Sequence, residues 1–175
     1  MKKNGDALYR LMVWMMNAED LFRKPGGILD EFNIKEGQTV VDYGCGPGRY
    51  LAKASGLVGP RGKVWAADIS PMALRYAKER ITRAGLTNVE TALIENGSVG
   101  VGAHCTDIVY ALDMFHAVDD AGEFLSIIHN VIKKDGALYL EDGHQSRETS
   151  KAKIARSGLF RLDGETKGYM RLKPV

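Results

Sequence analysis

Three glycines spaced two apart follow directly on an acidic residue in the run Asp42-Tyr43-Gly44-Cys45-Gly46-Pro47-Gly48. Gly44, Gly46 and Gly48 carry no Cβ, so the backbone can turn sharply and a ligand can approach it closely. A carboxylate at Asp42 can accept hydrogen bonds from an ammonium group beside such a turn. Asp68 stands roughly 20 positions beyond the last glycine, the place from which an acidic side chain accepts two hydrogen bonds from vicinal ribose hydroxyls in nucleotide-binding folds. The plainer alternative is a Gly-rich turn with two turn-capping aspartates. A second set of titratable residues follows later: Asp113 and His116, then Glu141, Asp142, His144 and Arg147. His144 or Asp142 can serve as a base or orient a substrate, and Arg147 can bind a carboxylate. The same 141–147 cluster also suits a solvated turn that caps the next helix. His104 and His129 show no partner by spacing and read as surface residues. The 4 histidines contain no i, i+4 pair, so spacing predicts no metal site.

Such residues need elements to position them. Thr39-Val40-Val41-Asp42 is a short β-branched run entered from Glu36-Gly37, and it predicts the first strand. Residues 50–57 suit a helix, and 63–69 a second strand. Ser70-Pro71 is an N-cap with proline at the first helical position. The helix it opens carries Ala73, Leu74, Ala77, Ile81 and Ala84 on one face and stops at Gly85. Residues 88–94 predict a third strand, and 95–106 are glycine-rich with at most a short helix. Residues 107–112 are nearly all apolar, as expected of a strand covered on both faces. Phe124, Leu125, Ile128, Val131 and Ile132 mark a helix ending at Asp135-Gly136, before a fifth strand over 137–140. A helix over 146–157 is closed by Gly158. Two strand-like pieces, 159–162 and 169–172, then read as a hairpin.

Five β-α cycles and a hairpin predict an α/β three-layer sandwich with a mostly parallel sheet. The 175 residues fit one domain. Upstream, residues 7–22 have helical spacing, with Leu8, Leu11, Met12, Met15 and Met16 on one face. Pro25-Gly26-Gly27 breaks that pattern, and another helical turn or two spans 28–32.

Composition limits the partners. Lys plus Arg number 24 against 22 Asp plus Glu, a formal charge of only +2 with the charges dispersed, so no nucleic-acid partner is expected. No apolar run approaches the ~20 residues of a membrane span, so no membrane partner is expected either. Two distant cysteines, Cys45 and Cys105, offer neither a disulfide framework nor a zinc signature and suit a reducing, cytoplasmic compartment.

The loop also speaks against a dinucleotide. The fingerprint G-x-G-x-x-G requires glycine where Arg49 stands, and Pro47 removes a backbone N–H from the turn. Val40-Val41-Asp42-Tyr43-Gly44-Cys45-Gly46-Pro47-Gly48-Arg49 resembles motif I of the class I methyltransferases that use S-adenosylmethionine (SAM), in the branch of quinone-biosynthesis and arsenite methyltransferases. The resemblance covers roughly residues 35–175 and includes the terminal hairpin. It implies a Rossmann-like seven-stranded sheet in the order 3-2-1-4-5-7-6. It also implies that Asp42 and the loop glycines hold the methionine end of SAM, and that Asp68 holds the ribose with Ile69 packed on the adenine. Glu95, or Asn96 if the alignment slips, would read the adenine amine, although Ile94-Glu95-Asn96 departs from the Gly-Asp common there. Ala111 and Leu112 would line the methyl-bearing sulfur. Cys45 falls at a position filled by small residues and reads as structural. His116 matches a histidine common in the family, often helping the fold rather than the chemistry. Residues 1–34 would form a helical lid over the cofactor, the alternative being that the Met and aromatic stripe of this helix belongs to the core, and an exposed Met-rich helix there could support a homodimer. The expected activity is methyl transfer to a small-molecule acceptor, with S-adenosylhomocysteine (SAH) as product. Two alternatives are a non-catalytic SAM-binding sensor or partner subunit, and an NAD-dependent oxidoreductase.

Overall fold

Val40 and Val41 are neighbours in sequence, yet they bury into different hydrophobic cores. The computed structural model describes Met15, residues 25–95 and residues 97–175. The predicted helix over 7–22 apart from Met15, residues 1–14 and 16–24 of the predicted lid over 1–34, and Asn96 lie outside the described residues.

Seven strands form one sheet: β1 (Thr39–Tyr43), β2 (Lys63–Asp68), β3 (Val89–Leu93), β4 (Thr106–Ala111), β5 (Ile132–Leu140), β6 (Phe160–Glu165) and β7 (Met170–Pro174). Their order is β3-β2-β1-β4-β5-β7-β6, the order expected from the sequence. The first five pair in parallel, and β7 runs antiparallel between β5 and β6. Among the described residues, four α-helices cover the sheet: α1 (Leu51–Val58), α2 (Pro71–Arg83), α3 (Ala121–Val131) and α4 (Arg147–Ser157). Two 3-10 helices, Pro25–Phe32 and Phe115–Ala117, complete the regular structure of the described residues.

Strand alternation sorts the cores. Val40, Val64, Ala66, Ile108, Tyr110 and Tyr139 pack on the side of α1, α2 and the first 3-10 helix. Val41, Ala67, Val109, Ala111, Leu138 and Leu140 pack on the side of α3 and α4. Each central strand feeds both layers, which is why its sequence is a continuous apolar run rather than an alternating one. Phe32 is fully buried and stacks on Tyr139 with ring centroids 4.2 Å apart, so the first 3-10 helix closes one core. The predicted Ser70 cap forms, its Oγ accepting from the Ala73 N–H at 3.3 Å; Ser146, expected as the first residue of its helix, caps it instead, with its Oγ accepting from the Thr149 N–H at 3.2 Å.

The structure corrects several boundaries. α1 starts at Leu51, one residue later than predicted. The described part of the 95–106 stretch, for which at most a short helix was expected, carries an isolated bridge between Glu95 and Ser98 and gives its last residue, Thr106, to β4. The largest change is at α3, which ends at Val131 instead of reaching Asp135-Gly136. Ile132 pairs with Thr106 in the sheet, after which the register jumps so that Ile108 faces Ala137. Ile132 has an apolar helical phase, but pairing with β4 claims it, and Lys133 is anchored there by an ion pair with Asp107 at 2.6 Å. No helix of the described residues is long and apolar enough to cross a membrane.

Candidate functional site

Strand order reverses between β1 and β4, and the loops at the carboxyl ends of these strands face a crevice, the usual ligand position in open α/β sheets. The loop after β1 is anchored by its own backbone. The N–H groups of Gly44 and Cys45 both donate to the Ala67 carbonyl, at 2.8 and 3.0 Å, and the Gly48 N–H donates to the Cys45 carbonyl at 2.9 Å. Gly46 has φ +54°, a left-handed conformation, and a side chain there would point into open space. Gly48 serves packing instead: an added Cβ would lie 2.6 Å from Leu51 Cδ1.

Asp68 ties two loops together. Its Oδ2 accepts from the Gly46 N–H at 2.9 Å and its Oδ1 from the Ser70 N–H at 2.8 Å. Asp42 is 2 % exposed, and its Oδ2 has no hydrogen-bond partner among the described residues. Burial pushes the Asp42 carboxyl up to about 8; the neighbouring Tyr110 hydroxyl opposes that rise and the Asp68 charge adds to it. A buried carboxylate with an orphaned oxygen beside a glycine loop fits a cationic donor such as an ammonium group. Cys45 is buried, and desolvation together with the Asp42 and Asp68 charges holds its thiol protonated.

A cavity of about 570 Å³ opens beside this loop, lined among others by Tyr43, Gly44, Asp68, Ile69, Glu95 and Met114. Ile69 is 74 % exposed, an apolar side chain presented to the space after β2. Ala111 and Leu112 do not line the cavity. They are buried in the two cores, and Met114, Ala117 and Val118 supply the wall in their place. A larger groove of about 850 Å³, between α2 and β3, contains none of the loop residues and lies off the switch point.

The second set of residues gathers after β4 and β5. Asp113 has φ 51°, and its N–H donates to Glu141 Oε2 at 2.9 Å. Asp142 Oδ2 accepts from Arg147 Nε at 2.7 Å. Arg147 also donates to Glu165 Oε2 and to the Thr166 carbonyl, both at 3.0 Å, so its charge is engaged by the hairpin. His116 and His144 meet edge to face with ring centroids 4.7 Å apart. Among the described residues, ligand atoms of Asp113, His116 and His144 lie within 4.8 Å of one another, a convergence that spacing did not predict. Gly143 makes it possible, since a Cβ there would lie 2.0 Å from His116 Nδ1. His104 and His129, predicted as isolated, face each other with centroids 6.5 Å apart.

Sequence reasoning passed over Tyr110 and Met114, and it named Glu141 and Gly143 only as members of the 141–147 cluster without the roles they take here. Tyr110 had a signal, a hydroxyl in an otherwise apolar strand; it pairs in register with Asp42 across β1 and β4. The other three had none, because their roles depend on which loops the sheet makes neighbours.

Residues 34–162 match a family model described as a methyltransferase domain. The ubiquinone/menaquinone biosynthesis C-methyltransferase UbiE of Klebsiella pneumoniae is 30% identical over 111 residues, which is 63% of this chain and 44% of that protein. A protein-L-isoaspartate O-methyltransferase of Methanococcoides burtonii is 28% identical over 66% of this chain and 54% of its own length. The chain therefore spans about half the length of these relatives. Among solved structures, a SAM-dependent methyltransferase from Aquifex aeolicus superposes with TM-score 0.77 and 26% identity, covering 86% of this chain and 89% of its own.

Proposed function

This chain belongs to the methyltransferase-domain family, and from that premise we propose that it transfers a methyl group from SAM to a small-molecule acceptor, releasing SAH. One observation carries the reading: the buried Asp42 carboxylate has an orphaned oxygen and stands at the head of the glycine loop. That oxygen suits the ammonium of the methionine moiety. Asp68 spends one lone pair of each oxygen on a backbone N–H, which leaves the other pair of each for the ribose hydroxyls. Exposed Ile69 offers an apolar face to the adenine, and Glu95 lies in the same cavity to accept from its amine.

When bound, SAM supplies an electrophilic methyl on a sulfonium, open to in-line displacement. The protein's task is then to hold the acceptor opposite that methyl, and orientation alone is worth roughly 7–11 kcal/mol. Asp113, His116 and His144 are the side chains available on the acceptor side. Asp142 acts as a positioning residue, because its carboxylate is paired with Arg147 and holds the 141–147 loop. The names of the relatives include both C- and O-methyltransferases, so the family leaves the acceptor atom open. A small acceptor fits the balanced charge of +2 better than a polyanion does. Two free cysteines suit a cytoplasmic location.

Calorimetric titration with SAH and with NAD tests the cofactor. SAH should bind and NAD should not, and Asp68→Ala should abolish SAH binding; NAD binding without SAH binding would overturn the proposal. Turnover of labelled SAM with small acceptors tests the enzyme. Binding without turnover across oxygen, nitrogen, carbon and sulfur acceptors would favour a non-catalytic sensor or partner subunit instead.

A further inference from the structure

Asp113, His116 and His144 come from two loops that are distant in sequence and adjacent only because β4 and β5 pair. We infer that these three side chains bind one divalent first-row transition-metal ion, of which Zn²⁺ is the type, and that the ion holds a chelating acceptor on the acceptor side of the methyl-transfer site.

The donor set points to that class of ion. Two imidazoles and one carboxylate suit Zn²⁺ and its first-row neighbours, whereas Mg²⁺ and Ca²⁺ prefer oxygen alone. Ligand atoms on a tetrahedral zinc stand roughly 3.4 Å apart, given bonds of about 2.0–2.2 Å. The three donors already lie within 4.8 Å of one another, so small side-chain rotations close the shell. Three protein ligands leave a coordination position open, the arrangement of catalytic rather than structural zinc.

The surroundings hold the donors in place. Gly143 presses on the His116 ring, whose Nδ1 is buried and has no hydrogen-bond partner among the described residues. Asp113 takes a left-handed conformation with its N–H bound to Glu141. The 141–147 loop is fixed from the other side by Asp142, Arg147 and Glu165. Glu141 adds negative charge beside the cluster through its contact with the Asp113 N–H, which favours a cation. Tyr50 lies near both halves of the site: burial pushes its hydroxyl up, the Arg49 charge opposes that, and the charges of Glu141, Asp42 and Asp113 add to it.

A chelating acceptor, with two neighbouring oxygen or nitrogen donors, would take the open position and a fifth one, an expansion that zinc allows. A hydroxyl bound there gives up its proton to solvent more readily. Its oxygen lone pair then forms the new bond to the methyl carbon as the carbon–sulfur bond breaks, and that electron pair stays on the sulfur of SAH. The metal site itself rests on geometry alone; its part in catalysis rests on the methyltransferase reading.

The test uses full-length protein stripped with EDTA and titrated with Zn²⁺ by calorimetry, and with Co²⁺ by visible absorption. We expect one ion per chain at micromolar affinity or tighter. His144→Ala, His116→Ala and Asp113→Asn should each weaken it at least tenfold, while SAH affinity stays within twofold of wild type and certifies the fold. Asp113→Asn matters most here, since asparagine tolerates the left-handed backbone. No saturable binding, or binding unchanged in His144→Ala and Asp113→Asn, overturns the site. Metal binding without SAH binding would instead remove the methyltransferase reading and leave the site standing. If the stripped enzyme turns over a chelating acceptor as fast as the zinc-loaded one, the catalytic part falls.

Discussion

Asp42 is an acid whose folded pKa, about 8, lies above its ordinary value of 3.8 because burial disfavours the charged form. The folded chain therefore holds a proton that the unfolded chain releases. Its stabilising contribution is fully present below about pH 4 and is lost as pH rises towards 8. Ligand binding should show the same proton. An α-amino group titrates near 7.7–8.0, so below that range an ammonium must meet Asp42 as a carboxylate, and the proton leaves. SAH affinity should climb by up to about tenfold per pH unit between pH 6 and 7, with close to one proton released. Asp42→Asn should flatten that slope and weaken binding, while raising the melting temperature of the ligand-free protein at pH 8. Calorimetry in buffers of different ionisation enthalpy reads the proton directly; an affinity independent of pH in the wild type would rule this role out. The identity of Asp42 and its place after a β-branched strand were legible in the sequence. Its perturbed acidity was not, because that follows from the burial of the carboxyl in the folded chain, which the Tyr110 hydroxyl opposes.

At the scale of elements, the first 3-10 helix does more than its eight residues suggest. Phe32 is fully buried, stacks on Tyr139 and meets Tyr169 edge-on at 5.0 Å. Phe32→Ala should cost about 3–5 kcal/mol, the range for a truncated core aromatic. Urea denaturation measures it, and a loss under 1 kcal/mol would show that the neighbouring rings refill the space. The strands were readable from their apolar runs and the helices from their caps, since both signals are local. Ile132 misled because a β-branched apolar residue at the right helical phase fits either element, and only its pairing with Thr106 decides. The meeting of Asp113 and His116 with His144 was hidden for a related reason. No spacing rule joins two loops whose proximity comes from strand order.

For the molecule as a whole, β7 is the joint that closes the sheet. It bonds to β5 on one side and to β6 on the other, and Met170 and Leu172 are fully buried. A chain cut after Gly158 would leave the β5 edge open and uncover Leu138 and Leu140. It should elute as aggregate in gel filtration and lack cooperative thermal unfolding; a monomeric, cooperatively folded product would contradict this. The terminal hairpin was foreseen from the strand-like pieces at 159–162 and 169–172, although the bulge between Leu162 and Gly164, through which β6 runs on to Glu165, was not. This arrangement also sets an order in time. During synthesis β5 leaves the ribosome well before its partner β7, whose residues lie some thirty positions further along the chain. Until β7 arrives, the nascent protein presents a bare apolar strand edge to every neighbour, so the interval between those two events is when it most needs a chaperone's shelter.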